Sequence, residues 1–407
     1  MSRKIEPFTS RKEGEVKLYA CGPSLYREPH IGNYRTFLFQ DILQRHLEYL
    51  GYKVTRLITL TDIEDKAIDE ANKEEVNIAE LTQRISDIFF SELRLLRIKH
   101  PTYSPRSSTT VEQSVKIIQA LLDKGLAYWH SYRGARNVYF DPLRFKSFGK
   151  LSNLDMSRWP KVKKRFHKDN YPGSPWNRGD FILWHGNREG DTVYWETDIG
   201  KGRPAWNVQD AGMITQHLGS EIDIACGGID NLVRHHDYTI SIIEGISEKE
   251  FSNYWLHGGH LLVDGKKMSK SKGNVYYPKD LTSRGYEMRH LRFFLIFGDY
   301  KRSLNFTFEK MERARQRLDK FRIMVSDLEN ADAEETDERA KKLIGDTLRA
   351  YEENLNRNLD VKSAFNEVFM VVSKLDKLRR RNLLSKQEAR VAVTNLRTID
   401  ETLQVIF

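Results

Sequence analysis

The sequence predicts an α/β protein, a doubly wound parallel sheet followed by an α-helical bundle, and three observations support this prediction. Apolar runs at residues 16–21 and 53–60 read as short buried strands. Between them, apolar residues recur at helical spacing over 36–50, so these three segments form a β-α-β unit. Beyond residue 305 the pattern is helical throughout. We therefore expect a Rossmann-like part at 1–304 and a helical bundle at 305–407.

The segments after the β-α-β unit follow in order. Helical patterns continue to about residue 125 and give way to a hairpin-like aromatic stretch, 128–130 and 137–140, with Gly134 between its halves. From there to about residue 200 the chain is rich in glycine, proline, tryptophan and charge. Strand and helix signals then resume in three segments, 221–225, 235–245 and 254–263. We expect this second half to close the sheet.

The bundle is predicted from apolar stripes at helical spacing over 308–328 and 361–378. The stripe residues are Phe308, Met311, Leu318, Phe321, Val325, Leu328, Val361, Ala364, Phe365, Val368, Val372, Leu375 and Leu378. With helical patterns at 340–356 and from residue 386, the region is expected to form an antiparallel bundle.

Composition limits the class of protein without naming it. A chain of 407 residues, 39% of them hydrophobic, is long enough for two or three domains. It lacks an apolar run near the ~20 residues of a membrane span and a signal-peptide core, so a cytoplasmic protein is expected. Two cysteines exclude a disulfide framework. A net charge of +9 permits a polyanionic partner without requiring one.

Two short motifs indicate a nucleotide site. The first, PHIGN at 29–33, lies at a predicted strand-to-helix turn, where backbone N–H groups favour an anion and Gly32 admits a phosphate or base. The second, KKMSKSKGN at 266–274, has no helical or strand pattern, and its four lysines can wrap a polyphosphate. Either motif alone is typical of an ordinary turn or a solvated loop. Their joint occurrence in this order favours the nucleotide site.

These motifs resemble the signatures of class I aminoacyl-tRNA synthetases, with Asn33 where the common form has a second histidine. Seven further segments are similar, in order, to landmarks of the cysteinyl-tRNA synthetase branch. They are CGPSLY at 21–26, TDIEDK at 61–66, GKLS at 149–152, FILW at 181–184, GRPAW at 202–206, GGID at 227–230 and HH at 235–236. The resemblance, from about residue 17 to the helices after 304, implies an insertion at about 100–200 of the catalytic domain. It also implies a bundle that leans on tRNA, but no counterpart of the usual anticodon-reading module precedes Phe407.

The resemblance implies adenylation, in which a substrate carboxylate attacks the α-phosphate of ATP, assisted by Mg²⁺, and pyrophosphate leaves. Because positioning and charge stabilisation carry such a step, the implied catalytic residues are His30, Asn33, Lys267 and Lys270. The implied ATP-binding residues are Gly22, Pro23, Gly32, Gly227, Gly228, Asp230, Met268, Ser269 and Ser271. Without the resemblance, Gly227 and Gly228 would be interpreted as a plain turn. His257 and His260 either serve the site or fill a strand end.

The amino-acid pocket departs from these relatives, which bind zinc through two cysteines, a histidine and a glutamate and hold the substrate thiolate on the ion. Cys21 and His235 match two of those ligands, whereas Asp210 aligns with the second cysteine and Thr239 with the glutamate. Threonine is a poor zinc ligand, and a mixed set of one cysteine, one aspartate and one histidine lacks the sulfur-rich softness and the full coordination of a good site. The metal set Cys21, Asp210 and His235 is therefore expected to be degenerate and zinc absent, with Asp237 as an alternative oxygen ligand.

Further changes surround the pocket, because Ala225, Cys226 and Asn207 replace other residues of the relatives. The predicted pocket residues are Cys21, Thr61, Trp206, Asp210, His235 and Thr239. Since the ATP motifs are intact, these changes predict an altered side-chain specificity. A buried Asp210 would favour a hydrogen-bond donor or a cation on the substrate, unless it pairs with Arg234 as a structural carboxylate.

The expected partners are ATP and an amino acid, with tRNA or a small amine as acceptor and no membrane. The segment 158–168 carries six lysines and arginines with interleaved aromatics, which is typical of a nucleic-acid contact or of a solvated insertion loop. The sequence predicts neither the amino acid nor the oligomeric state.

Three functional hypotheses result. The first is a ligase similar to the cysteinyl-tRNA synthetases with a non-cysteine substrate, acting on a tRNA or, as the mycothiol-pathway cysteine ligases do, on a small amine. The second is a genuine cysteinyl-tRNA synthetase with a modified metal site. The third is a silent paralogue that binds tRNA or a protein, and the intact lysine motif argues against it.

Overall fold

The structure is a computed structural model that describes residues 5–132, 134–158, 179–268 and 273–407. The chain divides into two compact units. The first contains the described residues of 1–28, 54–89 and 101–257, and the second contains those of 29–53, 90–100 and 258–407. The basic segment at 158–168 lies outside the described residues, except for Arg158.

The strands and helices are numbered in chain order. The strands are β1 (Glu15–Ala20), β2 (Lys53–Ile58), β3 (Ala127–Tyr132), β4 (Ala135–Phe140), β5 (Phe181–Gly186), β6 (Trp195–Thr197), β7 (Gly200–Pro204), β8 (Ile222–Gly228), β9 (Ser252–Gly258), β10 (Leu261–Val263), β11 (Lys266–Lys267) and β12 (Leu304–Phe306). The α-helices are α1 (Ile31–Tyr49), α2 (Asp65–Glu74), α3 (Ile78–Leu95), α4 (Val111–Asp123), α5 (Trp206–His217), α6 (Asp237–Ser247), α7 (Pro278–Thr282), α8 (Met288–Ile296), α9 (Phe308–Leu328), α10 (Glu338–Asn356), α11 (Val361–Arg379) and α12 (Lys386–Leu403). No helix of the described ranges is long and apolar enough to cross a membrane.

The first unit contains a sheet in the order β2-β1-β8-β9, which confirms the predicted α/β class. Strands β1 and β8 pair in parallel, with Leu18 opposite Ile224 and Ala20 opposite Cys226. Both strands are almost wholly buried, as the continuous apolar runs in the sequence indicate. The carboxyl ends of β1 and β8 therefore lie side by side, and the residues that follow them can form one site.

The segment 254–263, where strand and helix signals resume, contains strands of two different sheets, so only its first part extends the sheet of β1 and β8. Strand β9 ends at Gly258, and β10 belongs to a different sheet, in the second unit. The glycine pair between them explains the break, because a Cβ atom at Gly259 would lie 2.5 Å from the backbone carbonyl of Arg302. Because glycine has no side chain, the backbone at Gly259 can come close enough to form a hydrogen bond with the segment before β12.

A second sheet of the first unit has the order β3-β4-β5-β7-β6 and is antiparallel. The predicted aromatic hairpin is its β3–β4 pair, in which Tyr128 lies opposite Tyr139. Its inner residues join the core, since the Phe181 ring stacks on Phe140 at 4.8 Å and on Tyr238 of α6 at 3.9 Å. This packing fixes the start of α6, where predicted pocket residues lie.

The second unit contains α1, a small sheet in the order β11-β10-β12, and helices α7 to α12. Helices α9 to α12 match the predicted bundle segments, and Phe321 and Phe365 pack with ring centroids 5.0 Å apart in its core. The start of the lysine motif differs from expectation, because Lys266 and Lys267 form the short strand β11, antiparallel to β10. This pairing uses only backbone N–H and C=O groups, so the two lysine side chains give no alternating strand pattern in the sequence.

A buried ion pair anchors α8 in the second unit. Arg292 Nη2 donates to Asp41 Oδ2 at 2.6 Å, and both side chains are 0% exposed. Its other nitrogens donate to the carbonyls of Leu403 and Leu96 at 2.7 and 2.9 Å. Burial lowers the pKa of Arg292, and the charge of Asp41 opposes that shift. The guanidinium thus joins α1, the end of α3 and the end of α12.

The residues after α12 fold back onto Asp400. Its Oδ1 accepts hydrogen bonds from the N–H groups of Val405 at 2.7 Å and Ile406 at 2.8 Å, and its Oδ2 accepts from Phe407 at 3.1 Å. The carboxylate therefore satisfies three backbone donors that follow the helix.

Asp400→Asn is expected to destabilise the second unit by about 1–3 kcal/mol, because an amide has one acceptor oxygen where three donors converge on two. Urea unfolding followed by circular dichroism measures the change in midpoint. Asp346→Asn, on the exposed face of α10, is the matched control and should leave the midpoint unchanged. Equal midpoints for the two variants would contradict this role of Asp400.

Candidate active site

The first predicted motif lies at the N-terminus of α1. His30 is the N-cap residue, and its Nδ1 accepts a hydrogen bond from the Asn33 N–H at 3.3 Å. Asn33 Oδ1 in turn accepts from the His30 N–H at 2.9 Å, which completes a capping box. The first helical turn, IGNY, contains no acidic residue. The positive end of the helix therefore favours an anion here.

The second motif meets the first within the second unit. A Cβ atom at Gly32 would clash with Cε of Met268, so the missing side chain leaves the space that Met268 occupies. The Ile31 N–H donates to the Tyr276 carbonyl at 2.9 Å, which ties α1 to the segment beyond the lysines. Both motifs thus converge on the same helix end.

The lysine motif is only partly placed. Lys267 is exposed at the end of β11, and its carbonyl accepts a hydrogen bond from Asn274 Nδ2 at 3.4 Å. Ser269, Lys270 and Ser271 lie outside the described residues. Of the predicted residues in this motif, the structure therefore places Lys267 and Met268.

Gly22 and Pro23 follow β1 in the first unit. A Cβ atom at Gly22 would overlap the Thr59 carbonyl, and the Gly22 N–H donates to Thr59 Oγ1 at 3.1 Å. The Pro23 carbonyl accepts from the N–H of Thr61, a buried residue, at 3.2 Å. Gly22 is therefore required by backbone packing, whatever it contributes to ATP binding.

Gly227 and Gly228 end β8 and precede the exposed Asp230. A Cβ atom at Gly227 would lie 2.5 Å from Cε1 and 2.9 Å from Nε2 of His236. At Gly228 it would lie 2.6 Å from Asp230 Oδ1. The glycines therefore accommodate one residue of the pocket, His236, and one of the predicted adenosine loop, Asp230.

Asp210 is the centre of a buried hydrogen-bonded cluster in the predicted amino-acid pocket. Its Oδ2 accepts from the Tyr19 hydroxyl and lies 2.6 Å from His235 Nε2. Burial raises the pKa of Tyr19 well above its usual value, and Asp210 adds to that shift. For His235, burial acts to lower the pKa, but Cys21 and Asp210 together raise it well above its usual value. The side chain of Arg234, the predicted alternative partner, lies outside the described part of the chain.

Two further predicted residues contact His235. The Trp206 ring stacks on the imidazole, with centroids 4.4 Å apart and planes inclined by 21°. Thr239 Oγ1 donates to the His235 carbonyl at 2.9 Å, so this hydroxyl bonds within its own helix. The Asp237 carboxylate accepts a hydrogen bond from the Ser152 hydroxyl. Both oxygens considered for a fourth metal ligand are thus engaged by protein groups.

The four-ligand zinc set implied by the resemblance does not fit this chain. Cys21 and His235 are the two matching ligands, and Asn231 Nδ2 lies 3.2 Å from Cys21 Sγ. Asp210 is bound to its neighbours through Oδ2, and Thr239 offers no charged donor. The family's zinc arrangement is therefore not reproduced residue by residue.

A second pair of histidines lies beside this cluster. His236 Nδ1 and His257 Nε2 are 2.7 Å apart, and the Trp255 ring stacks on His257 at an angle of 7°. Burial lowers the pKa of His236 well below its usual value, with His257 and His235 contributing. Burial also lowers the pKa of His257, to about 4. Both rings are therefore neutral at neutral pH.

Sequence reasoning did not identify Tyr19 and His236 as members of this site. Tyr19 and Cys21 are two residues apart in an extended segment, so strand alternation was a usable signal that they share a face. His236 belongs to the HH landmark at 235–236 but not to the predicted pocket residues. A π-helical turn, Leu232–His236, precedes α6 and presents both consecutive histidines to the pocket. Sequence carries no clear signal for such a turn.

Comparison with known proteins gives a consistent family. The family model described as "tRNA synthetases class I (C) catalytic domain" matches residues 7–316. A cysteine–tRNA ligase of Chlamydia muridarum is 36% identical over 421 residues, covering 100% of this chain and 86% of the relative. One of Chlamydia pneumoniae is 37% identical and covers 96% of this chain and 82% of the relative.

Solved structures agree on the fold. A Mycobacterium tuberculosis methionyl-tRNA synthetase in complex with methionyl-adenylate superposes with a TM-score of 0.68 at 15% identity, covering 96% of this chain and 90% of that chain. A leucyl enzyme from Agrobacterium radiobacter K84, in a ternary complex with tRNA, gives a TM-score of 0.71 at 12% identity, covering 98% and 85%. At these identities the likeness concerns the fold alone.

Proposed function

The chain belongs to the cysteine–tRNA ligase family of class I tRNA synthetases and is a ligase, and we propose that it activates an amino acid as its adenylate. In this step a carboxylate oxygen of the amino acid bonds to the α-phosphorus of ATP. The bond from that phosphorus to the bridging oxygen of the β-phosphate breaks, and pyrophosphate leaves. The acyl group then passes to a second nucleophile, and AMP is released. The family uses ATP and Mg²⁺, and the ion supplies positive charge at the phosphates.

The proposed roles follow from the two motifs of the second unit. The His30 ring and the N-terminus of α1 bind the phosphates, and Asn33 holds that ring through the capping box. Lys267, with Lys270, neutralises the departing pyrophosphate. In the first unit, Asp230 accepts hydrogen bonds from adenosine hydroxyls, and Gly227 and Gly228 admit the base and ribose. Positioning of this kind supplies most of the acceleration in phosphoryl transfer.

We further propose that the side-chain pocket selects an amino acid other than cysteine. The observation that carries this proposal is the hydrogen bonding of Asp210. This residue stands where the family has a metal-binding cysteine, and its carboxylate is bonded to Tyr19 and His235. Thr239, at the position of the family's glutamate, bonds to its own helix. Without the family's zinc set, cysteine loses the contact that distinguishes it from serine or alanine. One small side chain alone gives only about 1–3 kcal/mol of discrimination.

A second candidate is a genuine cysteine enzyme with a rebuilt metal site. It is favoured by one observation, because Cys21, His235 and His236 can each place a ligand atom within 4.8 Å of the others.

As the acceptor we propose tRNA, since the relatives are cysteine–tRNA ligases that the chain matches over 86% and 82% of their length. A small amine is the alternative acceptor.

ATP–pyrophosphate exchange with each of the standard amino acids, with and without tRNA, tests these proposals. We expect exchange with at least one amino acid other than cysteine to exceed exchange with cysteine. The double variant Asp210→Cys/Thr239→Glu, which restores the family's ligand set, should shift the preference toward cysteine by about tenfold or more. Asp346→Asn, on the exposed face of α10 and outside the pocket, is the control and should leave the order of preference unchanged.

Each outcome separates the alternatives. Cysteine as the best substrate of the unaltered chain would reject the altered specificity and favour the second candidate. Exchange with none of the amino acids would reject adenylation by this chain. In a separate assay with a radiolabelled amino acid, transfer of the labelled acyl group to tRNA, rather than to a small amine, would support tRNA as the acceptor.

A further inference from the structure

Two buried acceptor oxygens of the first unit have no hydrogen-bond donor. They are Oε1 of Glu64 and Oε1 of Gln209, and neither has a partner among the described residues. Glu64 is 9% exposed and Gln209 is 0% exposed, so bulk solvent does not solvate these oxygens. A buried acceptor without a donor destabilises the folded chain. A ligand that brings the missing donors would remove this penalty.

The amide of Gln209 is held in one orientation. Its Nε2 donates to the carbonyls of Ile63 and Pro204, each at 3.0 Å. Because a carbonyl only accepts hydrogen bonds, the amide nitrogen must face these two groups and Oε1 must face away from them. Gln209 follows Trp206 by three residues on α5, so the two side chains lie on the same side of the helix. The fixed oxygen is therefore presented on the side of α5 that carries the Trp206 wall of the pocket.

Glu64 lies beside this amide, because the Ile63 carbonyl that binds it immediately precedes Glu64. Glu64 is the N-cap residue of α2, but its side chain makes no capping hydrogen bond. Burial raises the pKa of Glu64, although Ser24, Lys66 and His235 act to lower it. The groups around this carboxylate therefore do not fully compensate its charge.

We infer that Glu64 and Gln209 position an ammonium group of the bound amino acid, which donates hydrogen bonds to the two Oε1 atoms. An ammonium group brings three donors and a positive charge, and it therefore suits a carboxylate beside a neutral acceptor. Asp210 is less suited, because its Oδ2 is already bonded to Tyr19 and His235. The group is carried either by the α-carbon or by the side chain of the substrate. The inference rests on the proposed adenylation and assigns it two substrate-positioning residues.

Four non-reactive analogues of the adenylate test the inference. Each is a sulfamoyl adenosine with a three-carbon acyl group: propionyl, alanyl, 3-aminopropionyl or 2,3-diaminopropionyl. They carry no ammonium group, one on the α-carbon, one on the β-carbon, or both. Titration calorimetry measures their affinities for the full chain. We expect the alanyl or the 3-aminopropionyl analogue to bind about tenfold or more tightly than the propionyl analogue, because a hydrogen bond to a charged group is worth at least this much. The carbon that gives the gain identifies the source of the ammonium group.

Glu64→Gln separates positioning from a structural role. It should abolish the gain from the ammonium group and leave the affinity for the propionyl analogue unchanged, whereas a structural defect would weaken all four analogues. The midpoint of urea unfolding should not fall, because the substitution removes a buried charge that the protein does not compensate. Glu74→Gln, on the exposed surface of α2, is the matched control and should keep the gain. If Glu64→Gln does not fold, Glu64→Asp replaces it and should reduce the gain, since the shorter side chain withdraws the carboxylate.

Two results would overturn the inference. One is equal affinity of the four analogues for the unaltered chain, and the other is a gain that persists in the folded Glu64 variant. Neither result would reject adenylation, which the exchange assay measures without these analogues. Absence of exchange with every amino acid would reject the proposed function, and calorimetry would still show whether the ammonium group is bound.

Discussion

His30→Asn is expected to lower the rate of ATP–pyrophosphate exchange by about 10²–10³-fold, the usual cost of removing one group that stabilises transition-state charge. Asparagine is among the best N-cap residues, so the substitution keeps the cap of α1 while it removes the imidazole. The loss should therefore fall on the chemical step. Exchange is measured with whichever amino acid gives the highest rate in the unaltered chain.

The control for this variant is His100→Asn, an exposed histidine of the second unit that stacks on Phe90. It should retain the full exchange rate. Urea unfolding of both variants shows whether α1 is still capped. If His30→Asn were to keep the wild-type rate in a folded protein, the imidazole would have no part in binding the phosphates.

Arg292→Met should destabilise the chain by about 3–5 kcal/mol, the largest stability effect that we expect from one substitution. Methionine fills a similar volume but leaves the Asp41 carboxylate buried without its main partner. It also strips the Leu96 and Leu403 carbonyls of a buried donor. The midpoint of urea unfolding measures the loss, provided that the slope of the transition is unchanged.

A surface ion pair supplies the comparison. Arg313 bonds Glu309 one helical turn away on α9, and both side chains are 72% exposed. Because solvent screens such pairs, Arg313→Met should barely move the midpoint. A similar shift for Arg292→Met and Arg313→Met would show that the buried pair contributes no more than a surface pair.

Much of the fold could be predicted from the sequence because buried strands and amphipathic helices leave strong local patterns. Strands β1 and β2 are short apolar runs, and α9 to α12 carry clear apolar stripes. Where the structure differs from the predicted elements, the cause is also local. The pair Gly258 and Gly259 divides the predicted segment 254–263 between two strands, and β11 consists of two lysines held by backbone pairing.

The site was harder to predict, because its key contacts join residues far apart in the chain. Tyr19 reaches Asp210 across 191 positions, and Asp210 reaches His235 across 25. No local sequence pattern indicates contacts between residues so far apart in the chain. Resemblance to a family supplied the positions of Cys21 and His235, but it could not show that Asp210 would bond to His235 or that His236 would approach Cys21.

The π-helical turn at Leu232–His236 makes this pocket sensitive to chain length. Such a turn holds one residue more than an α-helical turn needs. Deleting one of residues 232–234 would let the segment rewind as an α-helix and would leave the residues on either side in place. The consecutive side chains of His235 and His236 would then point in directions roughly 100° apart, so they could no longer both face Cys21. For this pocket, an insertion or deletion of one residue is therefore a larger change than most substitutions.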